Sequence, residues 1–548
     1  MASAPVTGRA RALGAWGFEG ERFPPSPQLL ALLQSRLGPT VPFPRLDRAR
    51  LRPPASRALP ALGVAASHDP ADRIAHARGQ GLTDLIRLRT GTCPAYPDAV
   101  VRPANDDDVE SVLRVCVRDH IRIIPWGGGT SVTGGVNVVS SDVPVVSLDL
   151  ARLAGLERID PVSGLATLGA GTLGPAVEDA LAGHGFTLGH FPQSWELSSL
   201  GGWIVTRASG QESLGYGSIQ DLVAGLDLVA PAGRLAIPAL PASAAGPDLR
   251  QVVAGSEGRL GIVTRATVRV RRRPARTVVA ATLLPAWEAG LAAARAMVQA
   301  GVPLTLLRLS DAPETRVAVA IGMAAHRGVE PLVRRWLRLR GIGEEACLML
   351  CGARGDPRPV RRTLAAARSV LRRHGGVGLG TGPGRHWLAD RFRHPYLRDA
   401  LLDLGIATDT LETAAPWSRL PALTRQVREA LSGALAAADE RVVVLCHVSH
   451  SYRDGSSLYF TFFFRVPPDA DAAVARWATL KRAATAAIVA GGGTLSHHHG
   501  VGSWHAPWFA DEVGPQGAQL VRAAAAALDP VGVMNPHVLL DPLDRLEV

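Results

Sequence analysis

The sequence predicts a mixed α/β (α+β) protein of more than one domain. Short apolar strands of period two alternate with amphipathic helical stretches of about 10–15 residues. A chain of 548 residues, 47% hydrophobic and 20% charged, has room for two to four domains at ~100–200 residues each. Up to about residue 95 the chain is rich in Pro, Ala and Arg, with one helical apolar stretch at Leu29, Leu30, Leu32, Leu33 and Leu37. This stretch reads as an N-terminal decoration. Asn105 then predicts a helix cap: three acids, Asp106 to Asp108, occupy the first turn, and Val109, Val112, Leu113 and Cys116 form the apolar stripe. Strands are predicted at Ile121–Ile124, Val145–Leu150 and Leu165–Ala170, and in the alternation of Ile262, Thr264, Ala266, Val268 and Val270. Pro274 marks a composition shift. Beyond it, Ala/Arg-rich helices flank two apolar strands, Val442–Leu445 and Leu458–Val466. A last helix runs to Leu528, where Asp529-Pro530 breaks it.

Composition narrows the function. No run of ~18 apolar residues lacks a charge or a breaker, and Arg9 and Arg11 precede no apolar h-region. Neither a membrane span nor a secretory signal is expected. Five cysteines without a C-x-x-C pair point to reduced thiols and a cytoplasmic address. The net charge of +11 is carried almost wholly by Arg, Lys481 being the only lysine. Only Arg271–Arg273 form a run. A solvated basic surface is expected rather than a nucleic-acid site, with weak attraction to anionic lipid left open.

Three separated glycine-rich segments carry the chemistry. The first is Pro125-Trp126-Gly127-Gly128-Gly129-Thr130-Ser131, followed by Gly134-Gly135. Bare backbone amides there can approach a diphosphate closely, yet the spacing is neither a Walker loop nor a Rossmann G-x-G-x-x-G opening a helix. The second runs from Pro192 through Gly201-Gly202-Trp203 to Gly210, and the third is Gly255–Gly261. Three such segments suggest one long ligand wrapped along its length.

These segments, with Asp529-Pro530 and Asn535-Pro536, resemble the FAD-binding fold of the vanillyl-alcohol oxidase / p-cresol methylhydroxylase (PCMH) superfamily. Within it the chain most resembles the alkyldihydroxyacetonephosphate synthase (alkylglycerone-phosphate synthase) family of ether-lipid flavoenzymes. The supporting stretches are Trp16-Gly17, Thr206-Arg207-Ala208-Ser209-Gly210, Tyr396-Leu397-Arg398-Asp399, Glu412–Trp417, Tyr459-Phe460 and, most specifically, Ser496-His497-His498-His499-Gly500-Val501-Gly502.

By that resemblance Pro125, Trp126, Gly127, Gly128, Gly129, Thr130 and Ser131 hold the pyrophosphate of FAD. Pro192, Gln193, Ser194, Trp195, Glu196, Leu197 and Ser198, Thr206, Arg207, Ala208 and Ser209, and Gly255, Ser256, Glu257, Gly258, Arg259, Leu260 and Gly261 line the rest. The first loop has no His or Cys, so non-covalent FAD is expected. Tyr459 matches the family's proton abstractor and Arg398 its substrate-phosphate arginine, a guanidinium fork being suited to bidentate phosphate binding. An unperturbed phenol titrates near ~10, so Tyr459 needs cations or donors, which His498 and His499 are expected to supply.

Read from the residues alone, the triple His leaves metal binding, acid–base work and a passive polar loop open. Three adjacent side chains in an extended segment cannot all face one way. His447 and His450 could complete a metal site. Sister 2-hydroxy-acid dehydrogenases hold a metal through His-x-Gly-Asp-Gly-Asn-x-His and Glu-His-Gly; here the corresponding residues are His450 to Tyr459 and His498-His499-Gly500. Tyr replaces one ligand and His replaces the Glu, so no metal is expected.

The resemblance implies a two-part PCMH-type FAD-binding domain at 95–273, a cap domain with an antiparallel sheet flanked by helices at 274–495, and a segment, 496–548, returning to the first domain; residues 1–94 are an extension. The activity expected is exchange of the acyl group of acyl-dihydroxyacetone phosphate for a long-chain alcohol, FAD acting as an electron-accepting handle without net redox change. The alternative is an FAD-linked oxidoreductase of a hydroxy acid or related alcohol, supported by Met534-Asn535-Pro536 and by Phe463-Phe464-Arg465. A silent flavoprotein would leave Tyr459, Arg398 and the histidines without a role. A small-molecule or lipid substrate and no nucleic acid are expected; peripheral membrane contact and a homodimer stay open.

Overall fold

A computed structural model describes residues 9–323 and 330–540. Three principal sheets organise the chain. The first orders Ala66–Ser67, Ala99–Val101, Val145–Asp149 and Arg122–Trp126 side by side, and its last three strands run parallel. Helix Asp106–Arg118 makes the crossover between Ala99–Val101 and Arg122–Trp126. Asn105 caps it, its Oδ1 accepting from the Asp108 N–H at 2.9 Å, and its apolar stripe, Val109, Val112, Leu113 and Cys116, is buried. Strand Arg122–Trp126 runs directly into the glycine-rich loop.

The second sheet is antiparallel, in the order Leu156–Asp160, Leu165–Gly169, Ile262–Arg269, Val223–Ala230 and Gly233–Ile237. One core joins both sheets, with Trp203, Leu148, Leu168, Val229 and Ala266 among its buried residues. Met534 is buried there too, because the chain end returns: the Ile123 N–H donates to Val533 O at 2.8 Å and the Asn535 N–H to Ile123 O at 2.8 Å. The turn that brings it back is closed by Asp529, whose carboxylate accepts from the N–H groups of Gly532, Val533 and Met534.

The third sheet is a seven-stranded antiparallel layer: Val377–Gly380, Arg276–Leu284, Cys347–Gly355, Leu306–Ser310, Val442–Val448, Gly455–Arg465 and Ile406–Pro416. Strand Gly455–Arg465 shows how pattern becomes position. Phe460, Phe462 and Phe464 enter the large core with Trp477 and Leu480 of helix Ala470–Ala490, whereas Tyr459, Thr461 and Phe463 face a cavity. All five cysteines are free thiols.

The N-terminal segment is woven into the body instead of decorating it. The Trp16 N–H donates to Asp399 Oδ2 at 2.6 Å, Arg11 Nη1 to Gly128 O at 3.1 Å, and Tyr396 Oη to Glu21 Oε2 at 2.7 Å. It therefore touches both the glycine-rich loop and the helix His394–Leu402 that carries Arg398.

Candidate active site

One cavity of about 1880 Å³ connects the glycine-rich segments to the third sheet. Pro125 to Ser131 all line it, as do Pro192, Gln193, Ser194, Ser198, Thr206, Ala208, Ser209, Glu257, Gly258 and Gly261. The first loop is built for close approach. A Cβ on Gly128 would sit 1.9 Å from Leu197 O, and one on Gly127 2.2 Å from Ser199 Oγ. Only bare backbone fits between this loop and the segment opposite. A cavity of this size with such a cradle at one end fits a bound FAD.

Several of the expected cofactor residues face elsewhere. Trp195 stacks on Phe392 with ring centroids 5.1 Å apart, Leu197 is buried with Trp16, Phe18 and Tyr396, and Glu196 does not reach the cavity lining. The turn through 194–197 points successive side chains in different directions. Arg207 is the left-handed C-cap of helix Leu200–Thr206 and donates to Gln251 Oε1 at 2.8 Å. Arg259 donates to Met534 O at 2.9 Å, and Leu260 packs with Val538 and Leu540. Gly255 and Ser256 also lie outside the lining. These residues shape the loops and tie them to the chain end. Asn535, which lines the cavity, donates to Gly135 O at 3.0 Å and Glu257 O at 2.6 Å.

Glu257 binds the third glycine-rich segment to the triple-His loop. Its buried carboxyl accepts from the N–H groups of Val501 at 2.7 Å and Gly502 at 2.8 Å. Burial pushes this carboxyl up to about 7. Gly502 has φ +59, and a Cβ there would lie 1.9 Å from Thr133 O, so the glycine is required twice over.

At the far end of the cradle the histidines and Tyr459 converge. His497–His499 lie in a bent loop, not a strand, so the alternation expected of extended residues does not apply. What bends it is Glu412, on strand Ile406–Pro416. Its carboxylate accepts from Ser496 Oγ at 2.8 Å and from the N–H groups of His498 at 3.1 Å, His499 at 2.9 Å and His497. Burial works against the charge, but the imidazoles of His498, His499 and His497 and the donated N–H groups outweigh it. They hold the carboxyl well below the ordinary carboxylate range. Burial in turn lowers His497, His498 and His499, leaving the rings neutral at neutral pH.

The Tyr459 ring lies 6.0 Å from His498 and 5.7 Å from His499, and stacks at 4.9 Å on His447. Burial, chiefly, pushes its phenol up to about 12. The cationic tuning expected from His498 and His499 is therefore not supplied by the protein alone.

Sequence reasoning missed a cation beside this cluster, Arg308 on strand Leu306–Ser310. Its Nη2 donates to Glu314 Oε1 at 2.6 Å and lies 3.1 Å from His447 Nδ1, which is itself 3.1 Å from Glu314 Oε2. Against the cost of burial, His447 and Arg308 hold Glu314 well below the carboxylate range. Nothing in the sequence separates this arginine from the others. Glu412 was visible within a recognised stretch but carried no signal of its role. Arg398 lines the same cavity; its Nη1 donates to Gln80 O, and its Nε makes no hydrogen bond among the described residues but lies 3.9 Å from Asp399 Oδ1. His447 belongs with Glu314, whereas His450 stacks on His497 at 4.9 Å.

Fold and site together define an FAD-linked oxidase-type flavoenzyme: residues 97–237 match the family described as FAD binding domain, and residues 273–539 the family described as FAD linked oxidases, C-terminal domain. The chain is 31% identical over 477 residues to alkyldihydroxyacetonephosphate synthase of Dictyostelium discoideum, covering 86% of this chain and 78% of the relative. It is 31% identical over 475 residues to the synthase of Trypanosoma brucei brucei, 85% of this chain and 77% of the relative. An uncharacterized FAD-linked oxidoreductase of Escherichia coli O157:H7 is 27% identical over 82% of this chain and 90% of its own. A solved structure of an alkyldihydroxyacetonephosphate synthase superposes with a TM-score of 0.81 at 25% identity, covering 96% of this chain and 98% of that one. The chain belongs to the alkyldihydroxyacetonephosphate synthase family and is an FAD-dependent enzyme.

Proposed function

We propose that this enzyme exchanges the acyl group of acyl-dihydroxyacetone phosphate for a long-chain alcohol, forming an ether. The observation that carries the reading is a single cavity holding a cofactor cradle, a half-buried tyrosine–histidine cluster and an extension with apolar side chains along it. That extension is lined by Val317, Val319 and Ile321 of helix Ala312–Met323 and by Val333 and Leu337 of helix Glu330–Leu339. Such a shape suits a polar headgroup with an aliphatic tail.

Bound FAD supplies an electron-accepting centre for the substrate carbon. Trp126–Ser131 would hold its diphosphate through backbone N–H groups, Glu257 and Asn535 would fix the loops around it, and attachment would be non-covalent. Tyr459 takes a proton from the carbon bearing the acyl ester. That ester's C–O bond breaks and the fatty acid leaves. The alcohol oxygen bonds to the same carbon as its O–H proton passes to the departing carboxylate, and Tyr459 returns the carbon-bound proton. Reactants and products are at the same oxidation level. His498 and His499 donate hydrogen bonds to the departing and arriving oxygens. Arg398, half-buried and with an Nε that makes no hydrogen bond, holds the phosphate, and Arg308 contributes the second positive charge.

We place the lipid entrance at helix Glu330–Leu339. Its apolar residues Leu332, Trp336 and Leu339 are 69%, 46% and 79% exposed, and Arg334, Arg335, Arg338 and Arg340 accompany them. A basic, Trp-bearing amphipathic face of this kind suits peripheral contact with an anionic lipid surface, with the body of the enzyme in the cytoplasm. Among the described residues no helix is long and apolar enough to cross a membrane.

The test is anaerobic mixing of the yellow enzyme with acyl-dihydroxyacetone phosphate and then hexadecanol, with mass analysis of the product. An ether product formed without any oxidant supports the reading. No ether, together with flavin reduction by a 2-hydroxy acid and reoxidation by oxygen, replaces it with the oxidoreductase alternative.

A further inference from the structure

We infer that His450, His497 and His498 form a binding site for one divalent cation of borderline softness, zinc being the best match, with an open position toward the cavity. Their nitrogens all lie within 4.8 Å of one another. Two of the three rings are oriented by a side-chain hydroxyl. Ser213 Oγ lies 2.8 Å from His450 Nδ1, and Tyr452 Oη lies 2.6 Å from His497 Nε2. These partners leave His450 Nε2 and His497 Nδ1 for a metal, the arrangement by which a hydrogen bond to one ring nitrogen presents the other as a ligand. The backbones of His497 and His498 are pinned by Glu412.

His497 Nδ1 and His498 Nδ1 lie 2.9 Å apart. Two imidazole nitrogens so close repel unless a proton or a cation lies between their lone pairs. Around a cation with bonds of about 2.0–2.1 Å, this separation subtends roughly a right angle at the metal. Three imidazoles and no thiolate favour zinc, cobalt or nickel over magnesium or calcium.

The expectation of no metal rested on substitutions at two ligand positions. The structure supplies the missing ligand from a neighbouring position: His497 joins His450 and His498, and neither Tyr459 nor a glutamate is needed. His450 and His498 line the cavity. A three-nitrogen site of this kind keeps a position for an oxygen ligand, such as a substrate hydroxyl, carbonyl or carboxylate. The inference does not depend on the proposed ether synthesis, because its readout is metal content.

The experiment uses the full-length, FAD-loaded protein. It is stripped with dipicolinate, exposed to zinc, desalted and analysed by elemental mass spectrometry, and titrated separately with cobalt(II) at wavelengths beyond the flavin bands. The expected result is about one zinc per chain and a cobalt spectrum of nitrogen ligation. His450→Gln and His497→Gln should each weaken binding at least tenfold, and Ser213→Ala, which removes only the outer hydrogen bond, by roughly tenfold. Flavin content and thermal melting of each variant confirm folding. Wild-type protein that retains no more zinc than the His450→Gln/His498→Gln double variant overturns the inference. So does stoichiometric binding that His450→Gln leaves unchanged, which would mark an adventitious ion only.

Discussion

Replacing Glu412 by Gln should disable the enzyme while leaving its fold intact. Four donors converge on this carboxylate: Ser496 Oγ and the N–H groups of His497, His498 and His499. Hydrogen bonds to a charged group contribute about 1.5–3 kcal/mol each, and they are not additive at one acceptor. Leaving a buried neutral donor without its acceptor costs about 1–3 kcal/mol. Gln retains one acceptor oxygen but turns an NH₂ group toward N–H donors, so the loss should lie near the lower bound; Ala should exceed it. The loop is held elsewhere by Glu257 at Val501 and Gly502 and by Glu512 at the Leu495 N–H. The damage is therefore confined to 496–499, where the reacting groups sit. A displacement of about 1 Å there lowers turnover by about 10²-fold. The assays are kcat with saturating substrate and amide hydrogen exchange across 494–502. Glu412→Gln with kcat within threefold of wild type and unchanged exchange would refute the view that this carboxylate builds the histidine loop.

Tyr459→Phe should abolish turnover and leave flavin content unchanged; measurable ether formation by this variant sinks the tyrosine's assignment as the base. Gly128→Ala places a methyl group where Leu197 O stands, so purified protein should carry less than a tenth of the wild-type flavin, read from the ratio of visible to ultraviolet absorbance. Full loading would mean that the loop does not hug the cofactor. The Glu257 carboxyl is raised by burial to about 7 in the folded protein from an ordinary 4.5. Its neutral form is the stabilising one, fully present below about 4.5 and lost as the pH rises through 7. Wild-type stability should therefore fall relative to Glu257→Gln by about 3 kcal/mol across that window, at ~1.4 kcal/mol per unit. Denaturant melts at pH 4.5, 6 and 8 measure the difference, and parallel curves for the two proteins would be inconsistent with the burial argument.

Local chemistry was legible; convergence over long sequence distances was not. The Asn105 cap, the break at Asp529 and the two-faced strand around Tyr459 each depend on residues within a few positions of one another, and each emerged where expected. The glycine-rich loops announced a ligand because backbone exposure leaves a compositional trace. Their individual side chains could not be sorted, and Trp195, Leu197, Arg207 and Arg259 serve the protein's own packing instead. Glu412 meets the histidine loop 85 positions away at His497, through peptide N–H groups that every residue possesses. Arg308 lies 139 positions from His447 and resembles every other arginine in a chain that uses almost no lysine. The neutral state of the histidines arises from burial, which no motif records.

The hydrogen bond from Trp16 to Asp399 joins residues 383 positions apart. On a ribosome the first of these emerges long before the second exists, at about 5–20 residues per second. The opening arm must therefore wait, undocked, for at least some twenty seconds of synthesis. Its docking is a late event that locks the helix bearing Arg398 against the glycine-rich loop. A chain stalled between residues 269 and 399 has every strand of the first two sheets but lacks this clasp, so proteolysis of the N-terminal arm marks a chain that has not yet reached the helix bearing Arg398.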